Sequence, residues 1–242
     1  MYTRITAAGH HVTLSTPVPG ISEWVTDYVT PWWRADEAER FTQGAPMVEA
    51  YVDPAATAQL SFTVTEYPHD KAEYAGSPLL YRRDADGAVA AAQPEAGLAF
   101  HYQPSAPYLS IVGATEVQVA TATARLVREL TRARLQSAGW HILHASAVVQ
   151  GGEATLALGD KGAGKTTTAL LLAQAGGQLL ANDRIFVRPC ADGTVRALPW
   201  PAAAAIGLGL LDALGLYDQV SGRIRNGQHL HPTQHERVTA AL

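Results

Sequence analysis

The segment Gly159–Thr166, with the sequence GDKGAGKT, constrains the fold of this chain more than any other segment. It fits the pattern G-x-x-x-x-G-K-[ST] at every fixed position. The glycines of such a loop let several backbone N–H groups point into one hollow, and the hollow lies at a helix N-terminus, where partial positive charge favours phosphate. The motif therefore predicts a strand over residues 154–158 and a helix over residues 165–175.

The loop also assigns a role to each of its residues. Lys165 is expected to reach the β- and γ-phosphates of a nucleoside triphosphate, and the Thr166 hydroxyl is expected to bind Mg²⁺. We therefore predict ATP, or a similar triphosphate, together with Mg²⁺. Lys161 either adds a phosphate contact or faces solvent. The phosphate-binding set is Gly159, Asp160, Lys161, Gly162, Ala163, Gly164, Lys165, Thr166 and Thr167.

Composition narrows the class of protein. Of the 242 residues, 47% are hydrophobic and 17% are charged, so the chain can bury a core. The formal net charge of −4 argues against non-specific binding to nucleic acid. The single cysteine, Cys190, cannot form an internal disulfide, which favours a reducing compartment. The N-terminus lacks a signal-peptide pattern, and the apolar run 202–216 is too short to span a bilayer. We expect a cytoplasmic protein with no nucleic-acid or membrane partner; its oligomeric state stays open.

The chain is expected to form a mixed α/β structure in two parts. Residues 1–113 are interpreted as an N-terminal β-rich region, with one short helix at 22–28, and residues 114–242 as the core that carries the loop. A helix over 116–138 begins the second part. The predicted strands of the first part are 48–52, 60–67, 79–83, 98–102 and 108–112.

The position of the loop sets a further condition on the core. Only 77 residues follow Lys165 (242 − 165 = 77), so strands from upstream must complete the sheet. A strand is predicted at 143–149 before the loop, and a hairpin from 185–188 and 194–198 after it. Asp183 follows Lys165 by 18 residues (183 − 165 = 18), so one helix and one turn bring it back towards the loop. A carboxylate there can hold Mg²⁺ or accept the proton of an attacking hydroxyl.

The segment GDKGAGKTTTALLLAQAGGQLLANDRIFV resembles the catalytic core of the HPr kinase/phosphorylase family. That family has a glycine-rich loop, a Thr-Ala-Leu helix, a glycine turn and then Leu-x-Ala-Asp-Asp-Arg-Val. Upstream, LHASAVV is similar to the Leu-His-Ala-Ser-Ala strand of shorter HPr-kinase-like proteins, some of which occur in bacterial peptide natural-product pathways. The match covers about residues 141–188.

The resemblance implies both a fold and an activity. The fold is the phosphoenolpyruvate-carboxykinase-like core, a mixed sheet with a phosphate loop. The activity is ATP-dependent phosphorylation of a hydroxyl, here of Ser or Thr in a peptide or protein partner. Lys165, Asp183 and His144 would be the catalytic residues, and Thr166 and Asp183 would bind Mg²⁺. The family core usually extends further towards the C-terminus, so the chain is expected to be truncated there.

One position departs from the family pattern. The first acidic residue of the pair, which should accept the proton, is Asn182 here, and an amide cannot do so near neutral pH. Either Asp183 or His144 is the base, or the protein is a weak or inactive kinase. The alternative function is a nucleotide-binding regulator or ATPase without transfer. A small-molecule hydroxyl kinase would share all of these motifs. The segment HLHPTQH, with His229, His231 and His235, is a separate and weaker candidate for Zn²⁺ binding.

Overall fold

The computed structural model describes residues 1–30, 32–41, 44–105, 108–202, 206–216 and 218, so His229, His231 and His235 lie outside the described residues. The chain divides into two compact units, residues 1–135 and 136–242. The boundary drawn from the sequence, at 113/114, lies before helix α3 (Glu116–Ser137), whereas the division in the structure lies near the end of that helix.

The first unit contains a nine-stranded mixed sheet. In spatial order its strands are β3 (Arg34–Ala38), β1 (Tyr2–Ala7), β2 (His10–Ser15), β4 (Met47–Val52), β9 (Tyr108–Gly113), β8 (Leu98–Gln103), β7 (Val89–Gln93), β6 (Ser77–Arg83) and β5 (Asp70–Tyr74). The β2–β4 and β4–β9 pairs are parallel and the others are antiparallel. The mixed α/β class expected from the sequence is therefore confirmed.

Three helices accompany this sheet among the described residues of the first unit: α1 (Pro19–Val29), α2 (Pro54–Thr65) and α3. Both α1 and α3 bury one apolar stripe, as helices that cover a core do. Arg128 of α3 donates a hydrogen bond to the hydroxyl of Tyr28 on α1, and its guanidinium carbon lies 5.8 Å from the centroid of that ring. These contacts join the two helices.

The strand predicted at 60–67 is wrong, because residues 54–65 form helix α2. Asp53 caps this helix: its side chain accepts a hydrogen bond from the backbone N–H of Ala56 at 2.9 Å. Pro54 follows at the first helical position, where its fixed φ suits a helix and its missing N–H costs nothing. The β-branched residues of LSFTVT favoured a strand, but the cap and the proline start a helix that continues through them.

One polar cluster lies on strands β4 and β9. Glu49 Oε2 accepts hydrogen bonds from the hydroxyls of Tyr51 and Tyr108, the second at 2.6 Å. Burial of the phenol, followed by the hydrogen bond to Glu49 and the charge of that carboxylate, raises the pKa of Tyr108 to about 12. Tyr108 is therefore held in its neutral form.

The described residues of the second unit form two three-stranded antiparallel sheets. One has the order β12 (Glu153–Ala157), β11 (Ser146–Gln150), β13 (Gln178–Ala181), and α4 (Lys165–Gln174) packs on it. The other has the order β10 (His141–His144), β14 (Arg184–Pro189), β15 (Val195–Pro199). A short helix, α5 (Leu208–Ala213), follows. No helix in the described part of the chain is both long and apolar enough to cross a membrane.

The single strand predicted at 143–149 is two strands in the structure. Its first part belongs to β10 and pairs with β14, and its second part is β11, which pairs with β12 and β13. The change of sheet occurs at Ala145, which is fully buried and whose N–H donates to the carbonyl of Asp183 at 3.0 Å. The predicted hairpin at 185–188 and 194–198 is confirmed by the β14–β15 pair.

Candidate functional site

The glycine-rich loop connects β12 to α4, in the strand–loop–helix order that the motif requires. Gly159, Gly162 and Gly164 have φ values of 151°, 89° and 83°, which side chains larger than hydrogen rarely adopt. A Cβ on Gly159 would lie 2.9 Å from the Cβ of Ala163, so the loop is also too tight for alanine there. Local backbone geometry explains why these three positions are glycine.

The ammonium group of Lys165 lies over the start of the loop. Its Nζ donates to the carbonyls of Gly159 and Asp160, at 2.8 Å and 3.0 Å. Lys165 is the first residue of α4, so its charge lies at the helix end that already favours anions. A phosphate group there would meet the lysine, the helix N-terminus and the loop N–H groups together.

The remaining loop residues differ in exposure. Lys161 is exposed, and Thr166 and Thr167 are half-buried in the first turn of α4. Ala163 donates its N–H to the carbonyl of Asp160 at 3.2 Å, which closes the loop on itself. Thr166 follows Lys165 at the helix start, which is the position that the motif requires for a Mg²⁺ ligand.

The strand register brings three segments to one edge of the α4-bearing sheet. Ser146, at the amino end of β11, pairs with Ala157 at the carboxyl end of β12, and Ala147 pairs with Ala181 at the carboxyl end of β13. The loop leaves from β12 and the Asn182–Asp183 step leaves from β13. Because β11 lies between them, these two exits are about 10 Å apart. His144 precedes β11 at the same edge.

His144 and Asp183 form a direct pair at this edge. The distance from His144 Nδ1 to Asp183 Oδ1 is 3.0 Å, and the two side chains are 60% and 48% exposed. A carboxylate can only accept a hydrogen bond, so this contact places the ring proton on Nδ1. The other ring nitrogen, Nε2, is then the one that can accept a proton.

Arg184 completes this cluster. Its Nε lies 3.4 Å from Asp183 Oδ2, and its guanidinium carbon lies 5.5 Å from the centroid of the Trp200 ring. Arg184 is also directly opposite His144 in the β10–β14 register. Asp183 is therefore shared between an imidazole and a guanidinium, one on each carboxylate oxygen.

Asn182 is held by its main chain. Its carbonyl accepts a hydrogen bond from Ser146 Oγ at 2.6 Å, and Ser146 is fully buried. With the bond from Ala145 N–H to the Asp183 carbonyl, this contact fixes the Asn182–Asp183 step against the start of β11. It is Asp183, the residue after it, whose side chain reaches His144.

The donor chemistry around the loop suits Mg²⁺ with a triphosphate. Mg²⁺ prefers oxygen ligands and is usually held by one or two protein oxygens together with substrate phosphates. Thr166 offers a hydroxyl and Asp183 a carboxylate, and both are oxygen donors. Among the described residues, no group of three or more His, Cys, Asp or Glu side chains is placed to hold a metal ion.

Sequence reasoning singled out the loop, His144 and Asp183. The pairing of these two side chains was not predicted, since it depends on the break of the strand at Ala145 and on the β10–β14 register. Trp200, which stacks on Arg184, was missed altogether. Comparison of the chain with protein-family models, with curated proteins and with solved structures finds no match.

Proposed function

We propose that this protein is an ATP-dependent kinase that transfers the γ-phosphoryl group to a hydroxyl, of Ser or Thr in a peptide or protein. The observation that carries the proposal is the shared sheet edge, from which the Lys165 loop and the His144–Asp183 pair both arise. A kinase needs a phosphate cradle and a proton acceptor in one place.

The chain's own residues account for the reaction in this proposal. The loop N–H groups and Lys165 bind and orient the triphosphate. The acceptor hydroxyl gives its proton to Nε2 of His144, its oxygen bonds to the γ-phosphorus, the bond from that phosphorus to the β,γ-bridging oxygen breaks, and ADP leaves. Asp183 holds the imidazole in the required tautomer and stabilises it once protonated. Thr166 and Asp183 would hold Mg²⁺, which would neutralise phosphate charge when bound.

A phosphoenolpyruvate-carboxykinase-like core is part of the proposal. It is supported by the surroundings of β12, which among the described residues is an edge strand with one partner, the antiparallel β11. In the common nucleotide-hydrolase folds, the strand before such a loop lies in a largely parallel sheet. The resemblance to the HPr kinase/phosphorylase family also stays a prediction, like the core fold that it implies.

The second candidate is a nucleotide-binding regulator or ATPase, which Asn182 favours because an amide stands where the resemblance expects the base. Incubation with ATP labelled at the γ-phosphate separates the two candidates, if transfer to Ser- or Thr-containing peptides and release of free phosphate are followed in parallel. Label on a peptide supports the kinase. Release without transfer, or nucleotide binding without turnover, supports the second candidate, and absence of nucleotide binding excludes both.

A further inference from the structure

Two arginines face each other across the β14–β15 hairpin. Arg188 pairs directly with Arg196 in the antiparallel register, so both side chains lie on one face, with Cβ atoms about 5 Å apart. Like charges in this position destabilise a hairpin. Among the described residues, no carboxylate forms an ion pair with either arginine. We name Arg188 and Arg196 the arginine pair.

The nearest acid along the hairpin is already engaged. Asp192, in the turn, accepts hydrogen bonds from the N–H and the hydroxyl of Thr194 at 3.0 Å and 2.6 Å. These bonds lower the pKa of Asp192, the hydroxyl bond contributing most, and they hold its carboxylate within the turn. The charge of Arg196 also lowers the pKa of Asp192, so the hairpin sets one acid against the two positive charges of the arginine pair.

The head group of Arg188 is held in place. Its guanidinium carbon lies 4.8 Å from the centroid of the Trp140 ring, and Trp140 is only 4% exposed. A guanidinium stacked on an aromatic ring keeps its N–H edge available for a carboxylate. Arg188 is half-buried and Arg196 is exposed, so a ligand can reach the pair from solvent.

The arginine pair lies on the same face of the hairpin as Arg184. Side chains alternate along β14, so Arg184 and Arg188 point to one side. Arg184 is opposite His144 and contacts Asp183, so one face of β14 carries both the arginine pair and a neighbour of the candidate base. Phe186 lies between them on that face and is fully buried, with its ring centroid 5.4 Å from that of Trp200. Arg188 is four positions after Arg184 on β14, which corresponds to about 13 Å. An extended peptide covers that distance in about four residues.

We propose that the arginine pair binds an acidic side chain of the acceptor peptide, about four residues from the hydroxyl that is phosphorylated. This inference rests on the proposed kinase function and adds the class of acceptor. The occupant follows from charge: two guanidinium groups on paired residues of one hairpin face select an acid. The chain's net charge of −4 makes a nucleic-acid strand the less favourable occupant.

The test measures binding first, without turnover. The probe is a fluorescein-labelled peptide with one serine and a pair of glutamates about four residues from it on either side; the matched peptide has glutamine in place of glutamate. We expect the acidic peptide to bind about tenfold more tightly by fluorescence anisotropy, and salt to reduce the difference. Equal affinity of the two peptides overturns the proposal.

Variants then locate the contact. Arg196→Gln, at an exposed position, should remove most of the preference for glutamate, and Arg188→Lys should retain part of it. Arg83→Gln makes the same charge change at an exposed position of the first unit and should leave the preference intact. The proposal is overturned if Arg83→Gln lowers the preference as much as Arg196→Gln does, or if a single-stranded RNA binds the pair more tightly than the peptide.

Failure of this inference and failure of the kinase proposal give different results. Calorimetry with Mg-ATP reports the nucleotide site independently of the peptide. Where transfer to serine occurs, Arg196→Gln should raise KM for the acidic peptide about tenfold and leave kcat unchanged, because it removes binding rather than chemistry. Transfer that ignores acidic residues overturns the acceptor class and leaves the kinase intact, whereas acidic-peptide binding without any transfer overturns the kinase alone.

Discussion

The Nδ1 atom of His144 lies 3.0 Å from Oδ1 of Asp183, although the two residues belong to segments that precede and follow the glycine-rich loop. The contact joins the end of β10 to the start of β14. It places an imidazole, which can accept a proton, at the sheet edge from which the loop leaves.

Lys165→Ala should remove nucleotide binding without unfolding the protein. The lysine contacts loop carbonyls through Nζ and contributes charge rather than packing, so we expect at least a tenfold loss of Mg-ATP affinity, in line with about 1.5–3 kcal/mol for a charged hydrogen bond. Calorimetry measures the affinity and circular dichroism the fold. Lys71→Ala is the control for charge. Unchanged affinity in Lys165→Ala would exclude the phosphate-loop assignment.

Asp183→Asn should slow phosphoryl transfer by about 10²–10⁴-fold, the range for loss of a positioned acid–base group. An amide in this place can no longer stabilise a protonated His144, and its orientation no longer fixes the ring tautomer. Single-turnover rates with labelled ATP give the effect on the chemical step. Asp212→Asn, which removes the same charge at an exposed position elsewhere in the second unit, is the control. Equal rates for Asp183→Asn and the unmodified protein would show that the contact between His144 and Asp183 is structural and does not take part in phosphoryl transfer.

Asn182→Asp distinguishes the two assignments of the base. If His144 and Asp183 carry the proton transfer, the added carboxylate should change the rate little or lower it. If the proton acceptor belongs at position 182, where asparagine now stands, the same change should raise the rate of phosphoryl transfer by at least about tenfold, a cautious lower bound for a positioned base. We expect the first outcome, because the carboxylate that contacts His144 is that of Asp183. The same transfer assay decides.

Tyr108 should make the protein sensitive to alkali. Its pKa is about 12 in the folded protein against an ordinary value of 10.0, so its contribution to stability is complete below about pH 10 and is lost as the pH rises towards 12. Tyr108→Phe should flatten the fall of melting temperature in that window. Phenolate absorbance provides a second readout, in which Tyr108 titrates late in the unmodified protein. A fall of the same steepness in both proteins would contradict the assignment.

Phe186→Ala should destabilise the second unit by about 3–5 kcal/mol, the usual cost of emptying a buried aromatic site. Phe186 is fully buried, and its ring centroid lies 5.4 Å from that of Trp200. Urea unfolding followed by tryptophan emission measures the change. Phe62→Ala, at a position 59% exposed, should stay within about 0.5 kcal/mol of the unmodified protein. Similar losses for both variants would show that burial does not set the cost.

The elements that were predicted well are those with local signals. The loop and α4 follow from fixed glycine and lysine positions, and the β14–β15 hairpin follows from the turn residues Asp192 and Gly193. Helix α2 was not predicted, although Asp53 and Pro54 are typical of a helix N-terminus. The β-branched residues that follow them favour a strand, and the prediction followed those residues. Intrinsic preference is a weak guide where a cap and tertiary packing decide.

The remaining features depend on contacts between distant parts of the chain. The parallel pairing of β4 with β2 and β9 needs long connections, and residue spacing does not specify which strands become neighbours. Residues 143–149 are divided between two sheets at Ala145. No residue that typically ends a strand marks this point, since Ala145 is neither glycine nor proline. The pairing of His144 with Asp183 follows from that division, so no local pattern could have predicted it.

The hydrogen bond from Ser146 to the main-chain carbonyl of Asn182 has a consequence for how this protein can evolve. That bond does not depend on which side chain occupies position 182, so the backbone there is anchored for asparagine and aspartate alike. Asparagine and aspartate codons differ by one nucleotide. A lineage can therefore exchange amide for acid at position 182 in a single mutational step while this main-chain anchor is kept, so that the charge at this position can change without a change in the hydrogen bond that fixes its backbone.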